Sequence, residues 1–408
     1  MRMSRVALIV VAGVAGVAGV FLVAGVSAQA AKQFVRPLPG QTPPYSLGIK
    51  AGNVIYVAGQ LPTDDKNTLV GTDITTQAKQ VFENLRYVLK EAGSSLDNAV
   101  HATVMLQNAA DFPALDAVYR AQFKGVPPAR TTIIGSMVRA GALLEIQVTA
   151  VPNGVQRKAI LPAGWVKPTS PYSYAIQAGD TLYMSGLVSR NGKDNSQVQG
   201  DIAVQTKTAM DNAGEILKAA GMSYGDLVTG HVALRSMDNF APMNDVYRTY
   251  WPKDRPARVS CEAAPPGTFD VEITFMAIKG SAPREVIIPN RPDGTPGTAG
   301  PNFSPAIKVG NRLFISGGTG TTPQNAGDMK AQTTETLNRF GPALKAAGFD
   351  YKDIVSSEVL VTDVAKFNDM NDGYRPIFPT NPPVRATVGI SRLAGAGALV
   401  EIMVTAVK

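Results

Sequence analysis

At 408 residues, with 45% hydrophobic and 17% charged residues, the chain has the composition of a folded protein of two or three domains, not of a disordered one. One cysteine, Cys261, excludes an intramolecular disulfide, a cysteine-based zinc site and an iron–sulfur cluster, and two histidines, His101 and His231, count against a multi-histidine metal centre. The net charge of +7 comes without a run of five or six basic residues, so it says little for nucleic acid as a partner.

The first thirty residues read as an export signal. Arg2 and Arg5 form a short basic start, Val6 to Val26 is uncharged, and Ala28-Gln29-Ala30 has the small-x-small form of a signal peptidase site. The apolar run is also long enough to span a bilayer as a retained anchor. Its glycines lower helix propensity, and the cleavage signal follows directly. The expectation is therefore cleavage after Ala30 and a periplasmic or secreted mature chain, with N-terminal anchoring as the alternative. A lone cysteine suits an oxidising compartment.

Beyond the signal the chain repeats with a period near 128. Strand-like segments recur at Asn53–Gly59, Asp180–Gly186 and Asn311–Gly317, each ending on glycine. Helical patterns follow over Asp73–Ala92, Asp201–Ala220 and about Asp328–Ala347; in the first, Ala78, Val81, Leu85, Val88 and Leu89 share one face. Gly93, Gly221 and Gly348 stop these helices. Then come a strand (His101–Leu106, Gly230–Leu234, Ser357–Val361) and a shorter helix opening near Asp111, Asp238 and Ala365, which carries Tyr119, Tyr247 or Tyr374. Two strands close each unit: Ala129–Ile134 with Leu143–Val151, Ala257–Glu262 with Val271–Ile278, and Val384–Ile390 with Leu399–Val407. Pro-rich leads occupy Gln33–Pro44, Ala159–Pro171 and Glu285–Pro301.

The reading is α+β: three β-β-α-β-α-β-β domains over 33–153, 159–281 and 285–408. A sheet with helices on one face must cover its other face. The same face of the next repeat is the natural cover, which predicts a closed, pseudo-threefold single-chain trimer that is monomeric in solution.

Each unit resembles the RidA family (reactive intermediate deaminases, also YjgF or endoribonuclease L-PSP). The resemblance rests on Pro44-Tyr45-Ser46, Pro171-Tyr172-Ser173 and Phe303-Ser304, and on the glycine-ended strand. It also rests on Pro128-Ala129-Arg130, Pro256-Ala257-Arg258 and the altered Pro383-Val384-Arg385, and on a final strand holding Glu145, Glu272 or Glu401. It implies a chorismate-mutase-like fold, normally trimeric, with sites between subunits. It also implies cofactor-free hydrolysis of enamines and imines of 2-amino acids to 2-keto acids and ammonia. The implied partner is then a small imino- or keto-acid substrate, with no nucleic acid, and with membrane contact only through an uncleaved signal.

Arg130, Arg258 and Arg385 sit on strands among small and β-branched residues, where a planar guanidinium can take a carboxylate in bidentate fashion. An inter-repeat salt bridge is the alternative. Glu145, Glu272 and Glu401 follow 15, 14 and 16 residues later and interrupt apolar strands. A carboxyl there needs a partner or a purpose, and imine hydrolysis supplies one, since a water must be oriented and protons moved. The resemblance adds Tyr45 and Tyr172 as pocket residues. It places Thr132, Ser260 and Thr387 where a backbone N–H helps hold the substrate carboxylate, and Asn244 and Asn371 near the pocket, with Asp116 at that place in repeat 1. Repeat 2 keeps the full set, and the cleft fed by Phe303 is expected to be the weakest. His101 and His231 do not recur between repeats and read as structural. No P-loop, GxSxG or HExxH element occurs. A non-catalytic carboxylate binder would need the arginines but not the glutamates. An endoribonuclease lacks a recurring His or Lys pair for acid–base work. The family's known substrates arise in the cytoplasm, so export weakens their transfer to this chain.

Overall fold

A computed structural model describes residues 32–36, 42–291 and 294–408. The export-signal reading, on residues 1–30, lies outside the described residues.

Each repeat folds as one mixed sheet backed by helices. In repeat 1 the strand order is Gln33–Val35, Gly48–Ala51, Val54–Val57, Leu144–Ala150, Ala99–Leu106, Ala129–Ile134, and the other repeats follow the same plan. All neighbours are antiparallel except the last two, whose parallel pairing needs the intervening helix Phe112–Gln122 as crossover. The long helices begin where the sequence places them: Asp73, Asp201 and Asp328 accept from Thr76, Val204 and Ala331 backbone N–H groups as N-caps. Gly93, Gly221 and Gly348 then reverse the chain at φ of 78°, 71° and 78°, a conformation that glycine adopts without penalty. Ala78, Val81, Leu85, Val88 and Leu89 are all buried against the sheet.

Two expectations need correction. The leads are not merely ordered connectors: Gln33–Val35, Arg157–Ile160 and Arg284–Ile287 add an antiparallel edge strand to the following hairpin. Each repeat is thus β-β-β-α-β-α-β-β, and the second and third sheets begin at 157 and 284. Three- and four-residue strands on an edge carry too little alternation to stand out beside their prolines. The third long helix is also broken, into Met329–Asn338 and Gly341–Ala347. Pro342 lacks the N–H and crowds the preceding turn, so the ladder restarts at Gly341.

The repeats exchange strands. Arg392–Leu393 of repeat 3 pairs with Ala257–Glu262 of repeat 2, and Ser136–Met137 of repeat 1 pairs with Val384–Gly389 of repeat 3. Ile134 of repeat 1 bridges Ala264 of repeat 2. Every parallel edge strand is therefore extended by a neighbour, which removes unpaired backbone groups from that edge. The sheet faces opposite the helices pack on one another: Val100, Ala129, Ile176 and Tyr183 join repeats 1 and 2, and Ile49, Val355, Val384 and Val407 join repeats 1 and 3. A larger cluster with Met105, Val259, Phe314 and Met403 draws on all three.

Candidate active site

The short motifs of the sequence meet across repeats. Ser46 Oγ donates to Pro382 O and Ser173 Oγ to Pro127 O, each at 2.7 Å, while the Ser304 N–H donates to Pro256 O at 3.1 Å. The start of one repeat is thereby pinned to the prolines that precede the arginine of another. Ser185 and Ser316 extend the latch: each accepts from the backbone N–H of Arg130 or Arg258 at 2.9 Å. Ala58 stands at the corresponding place in repeat 1 and offers no such acceptor.

Three clefts result. Arg130, with Asp116 and Thr132 of repeat 1, faces Tyr172 and Glu272 of repeat 2. Arg258, with Asn244 and Ser260, faces Phe303 and Glu401 of repeat 3. Arg385, with Asn371 and Thr387, faces Tyr45 and Glu145 of repeat 1. The three arginines are 5%, 2% and 3% exposed, so these are desolvated cations. Each guanidinium rests against three rings. Arg130 Cζ is 4.8 Å from the Tyr119 centroid, 5.3 Å from Phe112 and 5.9 Å from Tyr172. Arg258 and Arg385 also stand 4.8 Å from Tyr247 and Tyr374, and the incoming ring from the next repeat is Phe303 at 5.5 Å or Tyr45 at 5.3 Å. These faces partly replace lost hydration.

One arm of each guanidinium is fixed by the short helix. Arg258 Nη1 donates to Asn244 Oδ1 at 2.8 Å and Arg385 Nη2 to Asn371 Oδ1 at 2.7 Å. Arg130 Nη1 instead forms an ion pair with Asp116 Oδ1 at 2.7 Å. Among the described residues, Arg258 Nε is buried with no hydrogen-bond partner, as are Ser260 Oγ and Thr387 Oγ1. Burial lowers the pKa of Arg258 and Arg385, the signature of a cation whose surroundings lack a full counter-charge. Unpaired buried donors beside a fixed guanidinium suit a small anion.

The glutamates approach from the other side. Burial pushes Glu145, Glu272 and Glu401 up to about 8, against the opposing pull of the neighbouring arginine and a backbone N–H. That N–H belongs to the position two residues past the arginine: the Thr132 N–H donates to Glu272 Oε1 at 3.3 Å. The resemblance assigns this N–H to the substrate carboxylate, and here it faces the glutamate. Room for each carboxyl comes from the glycine that ends the hairpin strand. A Cβ at Gly59, Gly186 or Gly317 would overlap Oε1 of Glu145, Glu272 or Glu401.

All thirteen site residues named from the sequence lie in these clefts, but their pairing differs from chain order. Each arginine meets the glutamate of a different repeat, not the one 14 to 16 residues downstream. Counted by repeat, repeat 2 is the fullest; counted by cleft, the full complement of Tyr, Asn, Arg, Thr and Glu falls at Arg385. Sequence reasoning missed Tyr119, Tyr247 and Tyr374 as supports of the arginines, although their recurrence was visible. It also missed Ser185 and Ser316, whose signal was the S/A before the strand-ending glycine.

The family model described as Endoribonuclease L-PSP matches residues 37–152, 165–279 and 295–408. A RutC family protein of Sulfurisphaera tokodaii is 43% identical over 115 residues, covering 28% of this chain and 92% of that protein. The 2-iminobutanoate/2-iminopropanoate deaminase of Mus musculus is 36% identical over 129 residues, 31% of this chain and 96% of that protein. The 3-aminoacrylate deaminase RutC of Acinetobacter baylyi is 36% identical over 118 residues, 28% and 94%. Each relative is the length of one repeat.

Proposed function

The chain belongs to the endoribonuclease L-PSP family, carrying three tandem members of it, and on that footing we propose that it is a deaminase of 2-imino acids and their enamine tautomers. The reading is supported by two relatives that bear deaminase names. It is supported most by one observation: a buried carboxyl near pKa 8 faces a desolvated arginine in every cleft. A carboxylate binder has no use for that acid, nor for the glycine that makes room for it.

The arginine takes the substrate carboxylate on the arm that the Asn or Asp of the short helix does not hold, which sets C2 before the glutamate. At neutral pH the glutamate starts protonated. For an enamine it gives its proton to C3, leaving an iminium and a carboxylate. The carboxylate takes a proton from water as the oxygen attacks C2. The regained proton goes to nitrogen, the C–N bond breaks with loss of ammonia, and the carbonyl O–H returns a proton to the glutamate. The sum is substrate plus water giving keto acid plus ammonia. Arrangement as a single-chain trimer would make the three clefts internal to one monomer.

The test is to generate an imino acid in situ with an amino-acid oxidase in the presence of semicarbazide. An active protein diverts the product from semicarbazone to free keto acid. Unchanged semicarbazone formation at high protein concentration overturns the reading.

A further inference from the structure

Apart from the clefts, the sheets of all three repeats line a partly open chamber of about 170 Å³. None of the three cleft arginines lies on its wall, and of the cleft glutamates only Glu272 does. The wall is largely apolar, but it carries a band of polar side chains of a kind that a packed core between sheets ordinarily lacks. His231 and Glu358 face each other across the repeat boundary, Nδ1 to Oε2 at 2.9 Å. Their side chains keep 35% and 30% of their surface accessible, and both line the chamber. His101 Nε2 lies 3.3 Å from Thr131 Oγ1, which bonds Thr274 Oγ1 at 2.7 Å. Gln147, Thr149 and Thr405 line the same space, and among the described residues their side chains have no protein partner. Buried polar groups around an open space are satisfied by water or by a ligand.

Charge and shape narrow the choice. Glu358 is matched by His231, and Arg312 at the rim is held by Asp180 and Thr181. Glu272, pushed up to about 8 by burial, is neutral at pH 7, so no uncompensated charge faces the space there and neither a carboxylate nor a phosphate is called for. Among the described residues no group of three or more His, Cys, Asp or Glu could hold a metal ion. Tyr56, Tyr183 and Phe314, equivalent residues of the three hairpins, bring aromatic rings to the wall. A cavity of roughly 150 Å³ accepts a benzene ring, so this one takes a six-membered ring with a substituent.

We propose that the chamber is a second ligand site, for a small uncharged planar molecule with a hydrogen-bond donor and acceptor side by side: an aromatic carboxamide or a nucleobase. The donor meets the free oxygen of Glu358, the acceptor meets the free ring nitrogen of His231, and the ring lies among Tyr56, Tyr183 and Phe314. Burial disfavours the charged histidine, but the charge and hydrogen bond of Glu358 outweigh it and raise its pKa, which favours the form in which both ring nitrogens donate. Only unlike repeats can build this edge. The strand registers place Thr103, His231 and Glu358 at one equivalent position, where identical subunits would set three like residues together. The inference is independent of catalysis in the clefts.

The test is calorimetric titration of the full chain with nicotinamide and cytosine, alongside benzoate as a carboxylate and inositol as a neutral polyol. Nicotinamide or cytosine should bind once per chain and stay bound in saturating pyruvate, which competes for the clefts. Glu358→Gln should weaken binding about tenfold, the scale of one charged hydrogen bond. Thr405→Leu, which narrows the chamber and leaves the pair intact, should abolish it while the melting transition persists. Silence from both planar probes means a chamber that holds water alone and overturns the proposal. So does displacement by pyruvate, or preference for benzoate or inositol.

Discussion

Glu272 shows how function and stability oppose each other at one residue. Its folded pKa near 8 lies above that of an unfolded glutamate, so its contribution is fully favourable below about pH 4.5 and is lost as pH rises through about 8. At pH 7 the buried neutral form costs on the order of 3 kcal/mol relative to an ionised unfolded chain. Glu272→Gln keeps the shape and removes that cost. We expect a higher melting temperature at pH 8, little change at pH 4.5, and loss of turnover in that cleft. A variant that kept full turnover would rule out the acid–base role. In the wild type, kcat should fall as pH rises through 8. The arginines should show their inequality in parallel Arg→Ala variants. A working cleft loses about 2–4 kcal/mol in kcat/KM, with little recovered by Arg→Lys because the fork is lost. Arg385→Ala should remove the largest share of activity and Arg258→Ala, in the cleft that receives Phe303, the smallest. Equal thirds would show that the clefts are equivalent. Asp116→Asn should raise activity by releasing Arg130 from its ion pair.

At the scale of the element, the strand-ending glycine is a cavity for a neighbouring side chain rather than a turn. Its backbone needs no left-handed conformation; what it lacks is the Cβ that would occupy the space of a carboxyl oxygen. Gly186→Ala should therefore displace Glu272, destabilise by about 1–3 kcal/mol, and silence the Arg130 cleft. Gly125→Ala, with open space at its Cβ, serves as the matched control in the same melting and activity assays. Helix boundaries were legible because caps are local: Asp73, Asp201 and Asp328 each bond an N–H three residues on. The lead strands were not, because three residues such as Gln33–Val35 become a strand only when a hairpin edge is there to pair with them.

At the scale of the whole molecule, each repeat lends a strand or a bridge to another, which covers the parallel edge of each sheet, and closure into a single-chain trimer is the proposal that follows from it. A compact monomer of about 40 kDa should emerge from light scattering; a stable trimer of chains would refute internal closure. Export remains a proposal from Arg2, Arg5 and Ala28-Gln29-Ala30, and amino-terminal sequencing of protein from its own cell envelope should begin at Ala31. An intact Met1 in the membrane fraction would favour the anchor.

The sequence by itself determined the three repeats, their helices and most strands, and the residue types of the site. These follow from periodicity, caps and recurrence, which are properties of short stretches of chain. Only the tertiary structure decided partnership. That Arg130 meets Glu272 and Tyr172, that Arg385 closes back onto Tyr45 and Glu145, and that His231 finds Glu358 across a shared chamber all depend on contacts between residues far apart in sequence. With three repeats that share the same pattern of elements, several pairings satisfy the same local patterns. The choice among them is made by which sheet faces and strand edges bury one another.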